Sequence, residues 1–141
     1  MIYHHISTNF NFCILTKYLN NKAWTTRKAL SKYKTTFIPN IIRSAYYSRL
    51  WKEYFGKNSR IVGVDLNPNA KLLEEYGFEI YIGSQNDSDF WDNFHKEVNG
   101  IDILLDDGSH DYYDQILTLN KAVPNIRDNG IIVIEDTHTS Y

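Results

Sequence analysis

The first third of the 141-residue sequence lacks both acidic residues and glycine. No Asp or Glu precedes Glu53 and no glycine precedes Gly56, whereas nine Lys and Arg residues precede Glu53. The residues before Glu53 therefore carry a net charge of +9, and the 89 residues from Glu53 onwards carry −11. Two changes of composition at nearly the same point predict a boundary, with an atypical basic segment at 1–47 and a domain at 48–141.

Cysteine and long apolar runs are also scarce. Cys13 is the single cysteine, so an internal disulfide is excluded and a reducing, cytoplasmic location is favoured. No apolar run approaches the ~20 residues of a membrane span. The first residues also lack the continuous apolar core of a signal peptide. We therefore expect no membrane partner and no export.

The basic segment 1–47 has no sustained period of 2 or 3.6 residues, so we predict little regular structure in it. Its positive charge and scattered aromatic residues would suit an arm that binds nucleic acid or anionic lipid. No RNA- or DNA-binding motif occurs, however, and we expect no nucleic-acid partner.

From Ser48 onwards, short apolar runs alternate with amphipathic segments. Asn67 and Pro68 are typical of a helix start, and Gly56 and Gly77 are typical of helix ends. Strands are predicted at 60–65 and 78–82, from Ile101 and from Gly130, and helices at 50–55, 68–76, 87–98 and 111–122, with a turn at 124–129. This alternation predicts an α/β fold with a doubly wound, mainly parallel sheet.

Two of the predicted strands end in pairs of acids. Asp106 and Asp107 follow one strand and precede His110, and Glu135 and Asp136 follow another. Because the carboxyl ends of parallel strands meet at one edge of a sheet, we expect all five side chains to lie close together. Adjacent carboxylates repel one another, and a hard cation such as Mg²⁺ would relieve the repulsion. A histidine beside them is suited to take a proton from a substrate hydroxyl.

Each of these features also has a plainer interpretation. The segment 106–110 would also suit a tight Asp-Gly turn with solvated acids, in which Ser109 or Asp111 caps the next helix. Asp65 ends a strand, where a carboxylate can accept both hydroxyls of a ribose, or it helps to cap the following helix. We expect surface positions for His4, His5 and His95, and core positions for Trp51, Phe90 and Trp91.

Five short motifs follow one another from residue 50 to the end of the sequence. They are Leu-Trp-Lys-Glu-Tyr-Phe at 50–55, Ile-Val-Gly-Val-Asp-Leu-Asn-Pro at 61–68, Gly-Ser-Gln at 83–85, Asp-Asp-Gly-Ser-His at 106–110 and Ile-Glu-Asp-Thr-His-Thr-Ser-Tyr at 134–141. With these motifs the chain resembles class I S-adenosylmethionine-dependent methyltransferases. Within that class it is most similar to the metal-dependent O-methyltransferases of macrolide sugars (the mycinamicin and tylosin type) and their cephalosporin-biosynthesis relatives.

The resemblance implies a Rossmann-like fold, S-adenosylmethionine and Mg²⁺ as cofactors, and a small-molecule or saccharide acceptor. It implies that Asp65 holds the cofactor ribose and that Gln85 lies by the adenine, with Asp106 also on the cofactor side. It further implies that Mg²⁺ is bound by Asp107, Glu135 and Asp136, and that His110 is the general base. The implied reaction is Mg²⁺-assisted O-methylation of a sugar or related polyol.

The sequence also departs from this family. The family places a strand and a glycine-bearing loop just before the helix that ends at Phe55, but residues 36–47 contain no glycine and no acid. Pro39 would also remove a hydrogen bond from a central strand. The chain ends at Tyr141, where the fold normally adds two strands and an acceptor-binding segment. We therefore predict an incomplete fold, and the alternative function is a non-catalytic remnant, truncated or altered by a frameshift.

Two further classes agree less well with the sequence. An NAD-binding fold needs Gly-x-Gly-x-x-Gly before its first helix, and a phosphoacceptor receiver domain needs an acid pair after its first strand and a late lysine; neither pattern is present. The sequence does not give the oligomeric state, although an unfinished sheet edge would favour pairing with another copy of the chain in a homo-oligomer.

Overall fold

The computed structural model describes residues 11–16 and 50–137. Its strands are β1 (Asn11–Thr16), β2 (Arg60–Asp65), β3 (Phe78–Ile82), β4 (Ile101–Asp107) and β5 (Ile126–Ile134). Two α-helices, α1 (Ser88–Val98) and α2 (Tyr112–Ala122), follow β3 and β4. Residues 50–55 are also helical, and a 3₁₀ helix spans Pro68–Tyr76. No helix in these two ranges is both long and apolar enough to cross a bilayer.

The five strands form one parallel sheet in the order β3-β2-β1-β4-β5. The chain therefore runs outward from β1 to β3, returns across the sheet to β4 and continues to β5. This reversal beside the central strand is the feature that creates a crevice at the carboxyl edge of doubly wound sheets. The prediction of a Rossmann-like α/β fold is confirmed.

The central strand comes from an unexpected place in the sequence. Asn11–Thr16 pairs with β2 on one side and β4 on the other, although the sequence predicted little structure in segment 1–47. The apolar run Phe12-Cys13-Ile14-Leu15 contains no proline, so it can donate hydrogen bonds to both neighbours. Residues 36–47, where the family resemblance would put this strand, lie outside the described residues. The domain boundary near residue 48 stays a prediction.

Short-range signals position the helices as predicted. The Asn67 side chain accepts a hydrogen bond from the Asn69 amide at the start of the 3₁₀ helix, and Gly77 ends it in the left-handed conformation at φ 89°. Asp87 caps α1 and Asp111 caps α2 in the same way, each accepting from an amide of the first turn. Local capping residues therefore set where each helix begins.

Strand β5 begins earlier than predicted. The sequence predicts a turn through Asn129, but β5 already begins at Ile126. Its pairing with β4 is irregular: Ile101 pairs with Ile126, whereas Ile103 pairs with Ile131, so extra β5 residues are accommodated between them. Asn129 adopts a positive φ of 66° within this irregularity. The turn-forming sequence Asp-Asn-Gly therefore makes a bulge inside the strand instead of preceding it.

Apolar side chains pack on both faces of the sheet. On one face, α1 and α2 cover a core in which the largest fully buried side chains are Trp91 and Phe94, with Phe90 packed against it. On the other face, Phe55 and Ile61 form a smaller cluster against which Trp51 packs. The core position predicted for Trp91 is thus confirmed, whereas Phe90 and Trp51 are partly buried at the margins of the two clusters. Leu50 and Tyr54 of the helical segment 50–55 are exposed, so only part of its predicted apolar face is buried.

The prediction that His95 lies at the surface is wrong. Its side chain is buried, with 6% of the residue exposed, and its ring stacks on Trp91 at 5.6 Å between centroids. His95 lies four residues after Trp91 and three before Val98, so helical spacing brings it to the core face of α1. His4 and His5 lie outside the described residues.

Candidate metal and cofactor site

The predicted site residues lie at the carboxyl edge of the sheet. Asp65 ends β2, Asp107 ends β4, and Glu135 and Asp136 directly follow β5. The strand register brings Thr16, the last residue of the central strand, beside Asp107. Asp65 and the acids of β4 and β5 therefore flank the end of β1, in the crevice where such sheets bind ligands.

Three of the side chains come close enough to share one ion. One ligand atom each of Asp107, His110 and Asp136 lies within 4.8 Å of the others. His110 Nε2 lies 3.6 Å from Asp107 Oδ1 and 3.8 Å from Asp136 Oδ2. Carboxylate oxygens and an imidazole nitrogen are ligands that divalent metal ions accept.

Electrostatics favour a cation at this cluster. Burial raises the pKa of the Asp107 carboxyl, and the neighbouring charges of Glu135, Asp136 and Asp106 raise it further, against the opposing effect of His110. The carboxylates of such a cluster repel one another when they are ionised. A bound cation offsets this repulsion and so stabilises the site. The arrangement of donor atoms and charge therefore fits a divalent metal.

The backbone around the cluster is strained. His110 and Asp136 both have positive φ, at 60° and 52°. This left-handed conformation is uncommon for residues other than glycine, although His and Asp adopt it more readily than most. Two of the three clustered side chains are thus aimed by backbone conformations that cost energy, as is common where side-chain direction serves function.

Glu135 contributes differently from its two predicted partners. Its backbone N–H donates to the carbonyl of Asp106 at 2.8 Å, which joins the end of β5 to β4. Its own carbonyl accepts from Gln115 Nε2 at 3.2 Å. The residue is exposed, and its side chain does not belong to the three-residue cluster. The third member of that cluster, beside Asp107 and Asp136, is His110. A metal contact from Glu135 stays a prediction.

Asp106 and Gln85 are held by hydrogen bonds. Asp106 is fully buried, and its two carboxylate oxygens accept from the Gly108 amide and from Gln85 Nε2. Burial raises the pKa of the Asp106 carboxyl, while the two hydrogen bonds lower it. Gln85 also donates to Thr118 Oγ1 and accepts from the Ser109 amide. Their predicted contacts with a cofactor stay predictions.

Asp65 serves at least one local role. It is buried, with 8% of the residue exposed, and its Oδ1 accepts a hydrogen bond from the Asn67 amide at 2.7 Å. This contact fits the expectation that the carboxylate supports the start of the following helix. A ribose contact by Asp65 stays a prediction.

The sequence analysis missed two polar residues of α2. Gln115 and Thr118 are buried, and they bond Glu135 and Gln85 respectively. A usable signal was present, because Gln115, Thr118 and Ala122 recur at the spacing of the core-facing side of a helix. Polar residues on such a face need partners inside the protein.

Comparison with known proteins finds relatives among sugar O-methyltransferases. Mycinamicin VI 2''-O-methyltransferase of Micromonospora griseorubida is 32% identical over 93 residues, which are 66% of this chain and 23% of that protein. A tetracenomycin-pathway enzyme of Streptomyces olivaceus, 8-demethyl-8-(2-methoxy-alpha-L-rhamnosyl)-tetracenomycin-C 3'-O-methyltransferase, is 37% identical over 93 residues, with the same coverage of 66% and 23%. The chain resembles the sugar O-methyltransferases. No protein-family model matches it.

A solved structure shows the same fold. MycE methyltransferase from the mycinamycin biosynthetic pathway, in complex with Mg, SAH and mycinamycin VI, superposes with a TM-score of 0.67 at 24% identity, covering 94% of this chain and 31% of MycE. The chain thus spans about a quarter of the length of the curated relatives and about a third of MycE.

Proposed function

We propose that the chain is part of an S-adenosylmethionine-dependent, Mg²⁺-assisted O-methyltransferase that acts on a hydroxyl of a sugar or related natural-product or polysaccharide acceptor. The observation that carries the proposal is the grouping of Asp107, His110 and Asp136 at the carboxyl edge of a β3-β2-β1-β4-β5 sheet. Similarity to sugar O-methyltransferases supports the reaction class. The Mg and SAH bound to MycE support the choice of cofactors.

The acidic residues would hold the metal. Asp107 and Asp136 are the first candidates because their oxygens already lie near one another, and Glu135 would complete the set by reorienting its exposed side chain. When bound, Mg²⁺ would polarise the acceptor hydroxyl, and S-adenosylmethionine would supply an electrophilic methyl group.

His110 would act as the general base. Its Nε2 accepts the proton of the acceptor hydroxyl, which makes the oxygen a better nucleophile. Its Nε2 lies 3.6 Å from Asp107 Oδ1 and 3.8 Å from Asp136 Oδ2, so the ring lies beside the proposed metal ligands. The backbone of His110 is left-handed, with φ at 60°, and its ring lies against Asp107 at the end of β4.

The cofactor would lie on the other side of the central strand. Asp65, at the end of β2, is the candidate for the ribose, and Gln85 and Asp106 are the further candidates for contacts with the cofactor. Because no glycine precedes Gly56, the chain after β1 would have to approach the cofactor without the glycine loop of the family. This departure is the observation that favours the alternative function, a non-catalytic remnant.

Cofactor binding separates the two functions. We expect the purified chain to bind S-adenosylmethionine or S-adenosylhomocysteine with a low-micromolar dissociation constant, measured by isothermal titration calorimetry. Asp65→Asn should weaken binding at least about tenfold through loss of a charge-assisted hydrogen bond, whereas Asp128→Asn, an exposed aspartate early in β5, should not. Folded protein that binds neither compound would support the remnant.

Methyl transfer is the second step of the test. Radiolabelled S-adenosylmethionine with Mg²⁺ and a deoxysugar or rhamnose glycoside should give labelled acceptor, and EDTA should abolish the reaction. His110→Gln should lower kcat by roughly 10²–10⁴-fold while leaving cofactor affinity unchanged. Binding of cofactor without any transfer in the presence of several glycosides would contradict catalysis by this chain.

A further inference from the structure

The Gln85 side chain, from another part of the sequence, holds the loop that carries Asp107 and His110. Gln85 lies in the segment between β3 and α1, more than 20 residues before this loop. Its Nε2 donates to Asp106 Oδ2 at 2.8 Å and to Thr118 Oγ1 at 3.0 Å, and its Oε1 accepts from the Ser109 amide at 2.9 Å. One amide group thus ties together the end of β4, the following loop and α2.

The groups that Gln85 bonds at the end of β4 and in α2 are buried. Asp106 and Thr118 have no exposed surface. The backbone carbonyl of Gln85 accepts from Nε1 of Trp91 at 2.9 Å, and Trp91 is itself fully buried in the core. The backbone of Gln85 is therefore held by the core, and its side chain is bonded to the loop. Gln85 can thus fix the position of the loop relative to the core.

Gly108 shows how closely Gln85 lies against the loop. A Cβ atom at Gly108 would lie 2.2 Å from Gln85 Oε1 and 3.0 Å from Asp106 Oδ1. The φ of Gly108 is not positive, so the reason for glycine is space and not backbone conformation. Two motifs therefore form one structural unit, namely Gly-Ser-Gln at 83–85 and Asp-Asp-Gly-Ser-His at 106–110. With Gln85 in place, position 108 has no room for a side chain.

We propose that Gln85 is a positioning residue, whose amide clamps the loop 106–110 so that Asp107 and His110 face the metal site. This inference rests on the proposed function for the identity of the site, but not for the clamp itself. The two hydrogens of Nε2 are both engaged, which leaves the methylene stem and one lone pair of Oε1 for any contact with a cofactor. The clamp acts through the neighbours of Asp107 and His110, namely Asp106 and Ser109.

Metal affinity distinguishes a positioning role of Gln85 from a general contribution to stability, because the latter would leave the affinity of the folded chain unchanged. Gln85→Met keeps the length of the side chain and removes all three hydrogen bonds. We expect it to weaken Mn²⁺ or Mg²⁺ binding about tenfold, in the range found when residues that orient metal ligands are replaced. The matched control is Arg60→Met, which breaks the Arg60–Glu79 pair at the opposite edge of the sheet. It should lower the urea midpoint and leave metal affinity unchanged.

The outcomes of this comparison are distinct. Metal affinity within twofold of wild type in Gln85→Met, or an equal loss in Arg60→Met at a similar urea midpoint, would overturn the positioning role. If the wild-type chain binds neither metal, the proposed function fails, and the clamp is then decided by a second measurement that needs no ligand.

A double-mutant cycle provides that measurement. Gly108→Ala should lower the urea midpoint strongly because its methyl group meets Gln85 Oε1. In a Gln85→Ala background the obstacle is absent, so the loss caused by Gly108→Ala should fall to about half or less. Equal losses in both backgrounds would show that Gln85 does not hold the loop in solution.

Discussion

Replacing His95 with leucine should stabilise the chain. His95 is buried on the core face of α1, and neither ring nitrogen has a hydrogen-bond partner in the described part of the chain. A buried polar group without a partner costs about 1–3 kcal/mol, whereas the ring stacking on Trp91 that leucine would lose is worth about 0.5–1.5 kcal/mol. Leucine also has the higher helix propensity. We expect the free energy of unfolding to rise by about 1 kcal/mol at pH 7.5.

The stability gained by His95→Leu should increase as pH falls. Burial lowers the pKa of His95, and Lys121 lowers it further, although Asp92 opposes the shift. Below the unfolded-state pKa of about 6.5 the unfolded chain therefore takes up a proton that the folded chain does not. Stability is lost as pH falls through this range, by up to about 1.4 kcal/mol per pH unit. The stabilisation of the chain by His95→Leu should therefore be larger at pH 5.5 than at pH 7.5.

Urea denaturation of both proteins at pH 7.5 and 5.5 measures this effect. Asn93→Leu is the matched control, because it makes the same kind of polar-to-apolar change at an exposed position of α1. Its effect should stay within about 0.5 kcal/mol of wild type at both pH values. A His95→Leu protein that is no more stable than wild type would show that the buried imidazole costs no stability. A stability gain that is the same at both pH values would show that its pKa is not lowered by folding.

Two other substitutions test the site. Asp107→Asn should raise the thermal midpoint of the metal-free chain, because it removes a partly buried charge that Glu135 and Asp136 repel. It should also abolish stabilisation by Mg²⁺, and a lower midpoint of the metal-free chain would contradict this repulsion. His110→Gly should be more stable than His110→Ala by roughly 1 kcal/mol, because φ is 60° at this position. Equal urea midpoints for the two variants would argue against strain there.

Local features of the fold followed directly from the sequence. The helix starts at Asn67 and Asp87 and the helix end at Gly77 each depend on a capping group within a few residues, so the signal lies in adjacent letters. The acids at the ends of β4 and β5 could be assigned to one edge because parallel strands share their direction.

Features that depend on distant contacts did not follow. Asn11–Thr16 is a short strand in an unpatterned, basic segment, and only its pairing with β2 and β4 makes it the centre of the sheet. The residue type of His95 predicts exposure, because polar residues usually lie at the surface. Its position on the core face of α1 places it in the core instead. The contact of Gln85 with Gly108 joins residues far apart in the chain, and no local pattern encodes it.

A calorimetric titration of the chain with Mg²⁺ and with Mn²⁺ shows whether the acidic cluster binds a metal ion. We predict saturable binding of one ion to the wild-type chain and to Asp128→Asn, and at least about tenfold weaker binding to Asp136→Asn. No binding to the wild-type chain, or equal affinity of all three proteins, would contradict the placement of the metal between Asp107 and Asp136.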